Sequence, residues 1–273
     1  MNRLGRGAII ALGAAVLCYL GYRLFVHSSA AVTPAVITPK MDVHRAVSTD
    51  LDARLARLLH AGRGGDRSNR PRLIALTFDD GPSAVTTPLL LDALHDLHVP
   101  ATFFLIGRDA EQFPELTRRI ERAGNEIGNH TYSHPDLDKL SDAAVRAELV
   151  KGRSVLRRYA TDPGIDTLFR PPHGRYTEAT LVVAQRLGYR TIFWTDDGGD
   201  WRKVGTRALA MHLEKHATAP EIVLLHNGNL ATIQMLPEIV ARFRKSGYQF
   251  VTVSQLLARV SPQEMNHPAR RAV

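Results

Sequence analysis

The sequence predicts an α/β fold: a parallel sheet of about seven strands forming an incomplete or distorted, TIM-like (β/α) barrel. From residue 73 onward, short apolar, β-branched runs alternate with longer segments of helical periodicity. This alternation is typical of parallel sheets. Seven such units over about 200 residues approach the size of a (β/α) barrel. A doubly wound open sheet is the alternative.

The first predicted strand, 73–78, begins with a continuous apolar run at 73–76, as expected for a strand buried on both faces, and it stops at Gly81-Pro82. The other strands are predicted at 101–106, 126–129, 167–170, 190–194, 222–225 and 249–252. The helices are predicted at 87–97, 109–123, 141–159, 177–187, 205–216, 232–246 and 254–260.

Ionisable or metal-binding side chains follow five of the predicted strands. They are Asp79 and Asp80 after the first strand, His130 after the third, Arg170 at the end of the fourth, Asp196, Asp197 and Asp200 after the fifth, and His226 after the sixth. The C-terminal ends of barrel strands form one rim, where barrel active sites are built. This register predicts an active site at that rim.

Asp79 and Asp80 are adjacent carboxylates at the end of an extended segment. Neighbouring residues on an extended chain point to opposite sides, so one carboxylate can bind a metal while the other serves as a base. An Asp-Gly turn, with the carboxylates capping backbone N–H groups, is the structural alternative.

His130 and His134 have H-x-x-x-H spacing, which places both imidazoles on one face if the segment is helical. With a carboxylate from the first strand they form an Asp/His/His set. Three such ligands plus an open position are typical of a catalytic metal site. Zn²⁺ suits these ligands best, and Co²⁺, Ni²⁺ or Fe²⁺ are alternatives. Such a metal activates water, and the second carboxylate can accept the proton.

His226 is the candidate proton donor for a poor leaving group, with a core or capping histidine as the alternative. Asp200 could pair with His226 and keep it cationic. The sequence contains no nucleophile elbow, phosphate-binding loop or dinucleotide glycine motif.

The N-terminal segment, 1–27, predicts a signal anchor or transmembrane helix. Arg3 and Arg6 precede an apolar run, 7–26, that only Arg23 interrupts. A cleaved signal peptide also fits, and we favour the anchor. We therefore expect a single pass through the cytoplasmic membrane with the catalytic domain outside, or a secreted protein if the signal is cleaved.

Residues 28–71 predict a linker with a short amphipathic helix, which packs on the domain or lies on the membrane surface. The catalytic domain is expected at 72–261, and 262–273 form a tail. Residues 1–72 carry eleven Lys and Arg against four Asp, which accounts for +7 of the formal net charge of +8. A nucleic-acid binder would carry its basic patch on the folded domain, so no nucleic-acid partner is expected. The sequence predicts no oligomeric state.

Five motifs carry a family resemblance: TFDDGP at 77–82, HTYSH at 130–134, RPPHG at 170–174, DGGDW at 197–201 and LLH at 224–226. In this order they resemble the motifs of the polysaccharide deacetylases, which are carbohydrate esterase family 4 with its NodB-homology domain. The flanking segments 99–107, 128–135 and 247–256 are similar too. The resemblance covers about residues 72–257.

The resemblance implies a role for each matching residue. Asp79 resembles the catalytic base, Arg170 the arginine that orients it, Asp80, His130 and His134 the metal ligands, and His226 the acid that Asp200 tunes. The His173 backbone N–H would help hold the oxyanion, Trp201 and Leu224 would wall the acetyl-methyl pocket, and Pro172 and Gly174 would shape the third-motif loop. His173 and Asn227 stand where the family often has Tyr and Asp, and Gly198-Gly199 is expected to make the loop after the fifth predicted strand flexible.

These features predict a metal-dependent enzyme that hydrolyses N-acetyl groups on an amino-sugar polymer, either peptidoglycan or a chitin-like glycan. An O-acetyl esterase acting on xylan-like polysaccharide is the alternative on the same scaffold. An inactive glycan-binding module is the alternative of another class.

Overall fold

We describe residues 72–201, 213 and 219–259 of a computed structural model of the protein. Eight parallel strands make up the sheet: β1 (Arg72–Asp79), β2 (Thr102–Leu105), β3 (Glu126–Asn129), β4 (Leu168–Phe169), β5 (Arg190–Thr191), β6 (Asp196–Asp197), β7 (Glu221–His226) and β8 (Tyr248–Phe250). The helices are α1 (Thr86–Asp96), α2 (Gly107–Gln112), α3 (Pro114–Arg122), α4 (Asp142–Leu156), α5 (Gly164–Thr167), α6 (Glu178–Arg186), α7 (Leu230–Lys245) and α8 (Val253–Arg259). The predicted parallel α/β architecture is confirmed.

The sheet is curled rather than flat. Its strand order is β5-β4-β3-β2-β1-β7-β6, with β8 paired to the N-terminal end of β1. In a flat sheet the edge strands β5 and β6 would lie about 29 Å apart, at about 4.8 Å per strand. The short connection between Thr191 and Asp196 spans at most about 18 Å. The sheet therefore curves until its edges approach, as in an incomplete barrel.

Side chains of β1 alternate between the two faces of the sheet, as strand geometry requires. Ile74, Leu76 and Phe78 pack into the larger apolar core together with buried residues of α1 and α7. Leu73 and Ala75 join a second cluster on the other face, where Val253 and Leu256 of α8 also pack. Thr77 and Asp79 lie on the same face as Leu73 and Ala75, which is the inner face of the curled sheet, and they are closer to its C-terminal rim.

Several predicted boundaries were wrong. The predicted helix 109–123 is two helices, because Pro114 begins a new one after Phe113. The predicted strand 167–170 is shorter, since Thr167 ends α5. Asp196 and Asp197 form a strand of their own that pairs with β7, so the sheet has eight strands where seven were predicted.

Some predictions lie outside the described residues: the membrane segment 1–27, the linker and amphipathic helix in 28–71, most of the helix at 205–216, and the tail at 262–273. Among the helices that are described, none is both long and apolar enough to cross a membrane.

Candidate active site

Asp79 ends β1 on the inner face of the curled sheet and is almost fully buried. Arg170, which follows β4 and is completely buried, donates from Nη1 to Asp79 Oδ1 at 2.7 Å and to Thr77 Oγ1 at 2.7 Å. Its other nitrogens donate to the backbone carbonyls of Ile192 and Phe193, each at 3.1 Å. Four hydrogen bonds thus fix the guanidinium, and the guanidinium fixes the Asp79 carboxylate.

Asp80 leaves the strand in a left-handed turn. Its φ is 72° and that of Gly81 is 75°, so the extended conformation ends directly after Asp79. Asn227 supports this turn by donating from its backbone N–H to the Asp79 carbonyl at 2.9 Å. A Cβ at Gly81 would lie 2.4 Å from the Asn227 side-chain nitrogen, so this turn requires glycine.

The segment containing His130 and His134 is a loop, not a helix. Thr131 and His134 have φ values of 70° and 61°, which excludes the helical arrangement considered for this spacing. The two imidazoles nevertheless meet, with ring centroids 4.9 Å apart.

Asp80, His130 and His134 form a set of potential metal ligands, with one ligand atom from each within 4.8 Å of the others. Asp80 Oδ1 lies 3.2 Å from His134 Nε2 and 3.7 Å from His130 Nε2. This oxygen is buried and has no hydrogen-bond partner. A cation between the three atoms would satisfy it, because buried polar atoms are otherwise almost always paired.

The protonation states of the histidines suit metal binding. His130 Nδ1 donates to the Arg170 carbonyl at 2.8 Å, which leaves the Nε2 lone pair directed toward Asp80. Burial lowers the pKa of His130, and burial together with the neighbouring His173 lowers the pKa of His134 to about 4. Burial raises the pKa of Asp80, which means that it disfavours the charged carboxylate. A bound cation would offset this by stabilising the charged form. The residues present fit a divalent metal of the zinc type.

His226 ends β7 and pairs with Asp200. His226 Nδ1 donates to Asp200 Oδ1 at 2.8 Å, and the His226 backbone N–H donates to Asp200 Oδ2 at 2.9 Å. Thr232 donates to the same Oδ2 at 2.7 Å. Burial alone would lower the pKa of His226, but the hydrogen bond and charge of Asp200, with Asp79 and Asp80 nearby, raise it to about 9. Pairing with Asp200 therefore favours the cationic form of the imidazole.

Residues predicted for the rest of the site are placed as follows. Leu224 lies on β7 two residues before His226, on the same face, and is buried. Trp201 is 59% exposed, and its indole N–H approaches Asp197 Oδ1 at 3.3 Å. Their role as pocket walls stays a prediction.

The third-motif loop begins directly after Arg170. Pro172 is buried, whereas His173 and Gly174 have φ values of 56° and 64°. The exposed His173 ring packs edge-on against the His134 ring at 4.6 Å, and its Nδ1 donates to Asp136 at 2.9 Å. A Cβ at Gly174 would lie 2.8 Å from the Trp194 ring, so this loop is tightly packed. The oxyanion role of the His173 N–H stays a prediction.

Sequence reasoning missed Thr77, Thr232 and Asn129, which hold the site residues in place. Thr77 shares the inner face of β1 with Asp79, so strand alternation could have found it. Asn129 accepts from the Thr131 N–H at 2.9 Å and donates to Leu149 and Tyr189. The contacts of Thr232 with Asp200 and of Asn129 with Leu149 and Tyr189 join distant elements, so no local pattern predicts them.

Comparison with known proteins decides the family. A sequence model described as polysaccharide deacetylase matches residues 66–192. A peptidoglycan-N-acetylglucosamine deacetylase of Bacillus cereus is 37% identical over 194 residues, which cover 69% of this chain and 90% of that protein. The chain belongs to the polysaccharide deacetylase family. The family expected from the five motifs, carbohydrate esterase family 4 with the NodB-homology domain, is confirmed.

Two further proteins that are similar to this chain agree with that assignment. A chitooligosaccharide deacetylase of Bradyrhizobium is 36% identical over 157 residues, covering 58% of this chain and 71% of that protein. A similar fold is found in the solved structure of the Bc1960 peptidoglycan N-acetylglucosamine deacetylase in complex with a benzamide compound. Its TM-score is 0.65 and its sequence identity is 33%, and the match covers 68% of this chain and 88% of that chain. The expected enzyme class is thus confirmed.

Proposed function

We propose that this deacetylase hydrolyses the N-acetyl groups of an N-acetylglucosamine polymer, either peptidoglycan or a chitin-like glycan. One observation carries the proposal: the buried Asp79 carboxylate and the His226 imidazole, which is hydrogen-bonded to Asp200, lie at the ends of neighbouring strands, β1 and β7, beside the three potential metal ligands. Asp79 and His226 are directly paired in the β1–β7 register. This arrangement provides a base and an acid for one bond.

Asp79 is the base. Asp80, His130 and His134 would hold a zinc-type ion, which would lower the pKa of a water and polarise the acetyl carbonyl. Asp79 accepts a proton from the water that attacks the acetyl carbon. Arg170 holds Asp79 Oδ1 at 2.7 Å, which orients the carboxylate for this transfer.

His226 is the acid. The amide C–N bond breaks only if the nitrogen leaves as an amine, and this requires a proton. His226 gives its proton to that nitrogen, and Asp200 keeps the imidazole oriented and cationic beforehand. The products are a free amine on the sugar and acetate.

The rival assignments predict different behaviour. An O-acetyl esterase for xylan-like polymers needs the same base and metal ligands but depends less on the acid. An inactive glycan-binding module needs neither a base nor an acid, so the intact constellation of Asp79, Arg170, Asp200 and His226 argues against it.

The test is acetate release by the purified protein, loaded with Zn²⁺, Co²⁺ or Ni²⁺, from N-acetylglucosamine oligomers, peptidoglycan and acetylated xylan. We expect release from the two amino-sugar substrates, and none from the Asp79→Asn variant. A strong preference for acetylated xylan would assign the protein to the esterases. Glycan binding without release under every metal would assign it to the binding modules.

We also propose that residues 1–27 tether the enzyme to the cytoplasmic membrane, with the catalytic domain outside. The support is the sequence: Arg3 and Arg6 precede an apolar run, and a linker rich in Ala, Thr and Pro follows. An acetylated cell-wall glycan would then lie on the same side as the active site.

A further inference from the structure

The loop that joins His130 to His134 carries two of the three potential metal ligands but has no regular secondary structure. Thr131 and His134 both adopt left-handed φ values, which are costly for residues other than glycine. Such a loop keeps one conformation only if its surroundings fix it. The positions of both imidazoles depend on what fixes it.

Glu148, on α4, contacts the centre of this loop. Its Oε2 accepts from the backbone N–H groups of Tyr132 at 3.0 Å and Ser133 at 2.8 Å, and its Oε1 accepts from the Ser133 hydroxyl at 2.8 Å. One half-buried carboxylate therefore accepts three hydrogen bonds from two consecutive residues. Bonds of this kind, to a charged acceptor, are about twice as strong as neutral ones.

Four other backbone groups of the loop have partners of their own. The Thr131 N–H donates to Asn129 Oδ1, and the His134 N–H donates to Thr131 Oγ1. The carbonyls of Thr131 and Tyr132 accept from the first two N–H groups of α2, each at 2.9 Å. Without Glu148, the N–H groups of Tyr132 and Ser133 would lose their acceptor.

The approach of α4 to the loop is unusually close. A Cβ at Gly152 would lie 2.9 Å from the Thr131 carbonyl carbon and 2.6 Å from Asn129 Oδ1. Gly152 and Glu148 are one helical turn apart, so they lie on one side of α4. Gly152 allows the helix to approach, and Glu148 then reaches the loop.

We propose that Glu148 is a positioning residue for the metal site: by clamping residues 132 and 133 it sets the spacing of His130 and His134. This inference rests on the proposed metal site. Because Glu148 contacts neither imidazole, it acts through the backbone between them. Groups that hydrogen-bond directly to metal ligands typically contribute 10- to 100-fold to metal affinity, and we expect a contribution of that order from Glu148.

The experiment measures Zn²⁺ affinity of the full-length protein by competition with a chromophoric chelator, and thermal unfolding of the metal-free protein. We expect Glu148→Ala to weaken Zn²⁺ binding by about 10- to 100-fold. Glu148→Gln should stay close to the wild type, because an amide oxygen can still accept both N–H groups while the hydroxyl of Ser133 rotates to accept.

The matched control is Glu121→Ala. Glu121 is also partly buried, and its Oε1 accepts from the N–H and hydroxyl of Thr161 at 2.8 and 2.9 Å, in a loop that carries no metal ligand. We expect it to lower the unfolding temperature without changing Zn²⁺ affinity. If Glu148→Ala fails to fold, Glu148→Asp replaces it, since its shortened side chain withdraws the carboxylate from the loop.

Three results would overturn the inference. Wild-type Zn²⁺ affinity in the Glu148 variant that folds would show that the loop holds its shape without the clamp. An equal loss of affinity in Glu121→Ala would reduce the effect to general stability. A wild-type protein that binds no Zn²⁺, Co²⁺ or Ni²⁺ would instead remove the metal site itself, and with it the role of Glu148.

Discussion

Arg170 and Asp79 form a buried ion pair across the interior of the curled sheet, with Arg170 Nη1 donating to Asp79 Oδ1 at 2.7 Å. The Arg170 side chain is completely buried, and that of Asp79 is 6% exposed. Neither charge is therefore well hydrated, and each depends on the other. The pair joins β1, which carries the proposed base, to the loop that follows β4.

The first prediction concerns this pair. Arg170→Met leaves the Asp79 carboxylate buried without its partner, and removing one member of such a pair costs about 3–5 kcal/mol. We expect the free energy of unfolding to fall by that amount in chemical denaturation, and Asp79→Asn in the same chain to recover much of it. Additive losses in the double variant would show that the two side chains are not coupled.

The second prediction separates the roles of the two aspartates. Asp80→Asn should lose metal and activity together, because Asp80 Oδ1 lies between the two imidazoles. Asp79→Asn should keep the metal but lose turnover, because only the base is removed. Metal content and kcat measured on both variants check this, and equal metal loss in both would contradict the assignment.

The third prediction is a pH dependence. His226 is active as the acid only in its protonated form, and its pKa is raised to about 9. We therefore expect kcat/KM on N-acetylglucosamine oligomers to decline as the pH rises through about 9. In Asp200→Asn the charge that raises this pKa is gone, so the decline should move to lower pH. A pH–rate profile that is the same in both proteins would remove Asp200 from this role.

Much of this site could be predicted from the sequence, because the rim residues follow directly from strand ends. Asp79, His130 and His226 each come immediately after or at the end of an apolar strand, so their meeting at one rim depended only on a parallel sheet. The family motifs then supplied individual roles, and the structure brings Asp80, His130 and His134 together.

The sequence did not predict the conformation of the segment from His130 to His134, nor the contacts from distant elements that hold this segment in place. The spacing of His130 and His134 fits a helix, but two left-handed residues make the segment a loop. The shape of that loop depends on Glu148, which lies 15 residues away from Ser133 on another element. Contacts of this kind arise from packing between elements, and the residue pattern within either element does not predict them.

The fourth prediction concerns membrane topology. Arg3 and Arg6 should remain in the cytoplasm, and residues beyond Ser28 should be exported, by the positive-inside rule. A reporter that is active only outside the cytoplasm, fused after Lys40, should be active. The matched control replaces Arg3 and Arg6 by Glu, which should reduce the preference for this orientation in the membrane. Activity only of a cytoplasmic reporter would contradict the proposed location.

The last prediction concerns the bond that is cleaved, and it depends on His226. An amine leaves only after it is protonated, whereas the alcohol of an activated ester leaves without a proton. His226→Ala should therefore lower turnover of an N-acetylglucosamine oligomer by about 10²-fold or more, the usual scale for losing general acid–base catalysis. The same variant should lose clearly less activity on an activated acetyl ester.

Asp79→Asn is the matched comparison, because the base is needed for both substrates and both rates should fall together. Equal losses on amide and ester in His226→Ala would exclude it as the acid, and the amine would then have to take its proton from another group at the rim.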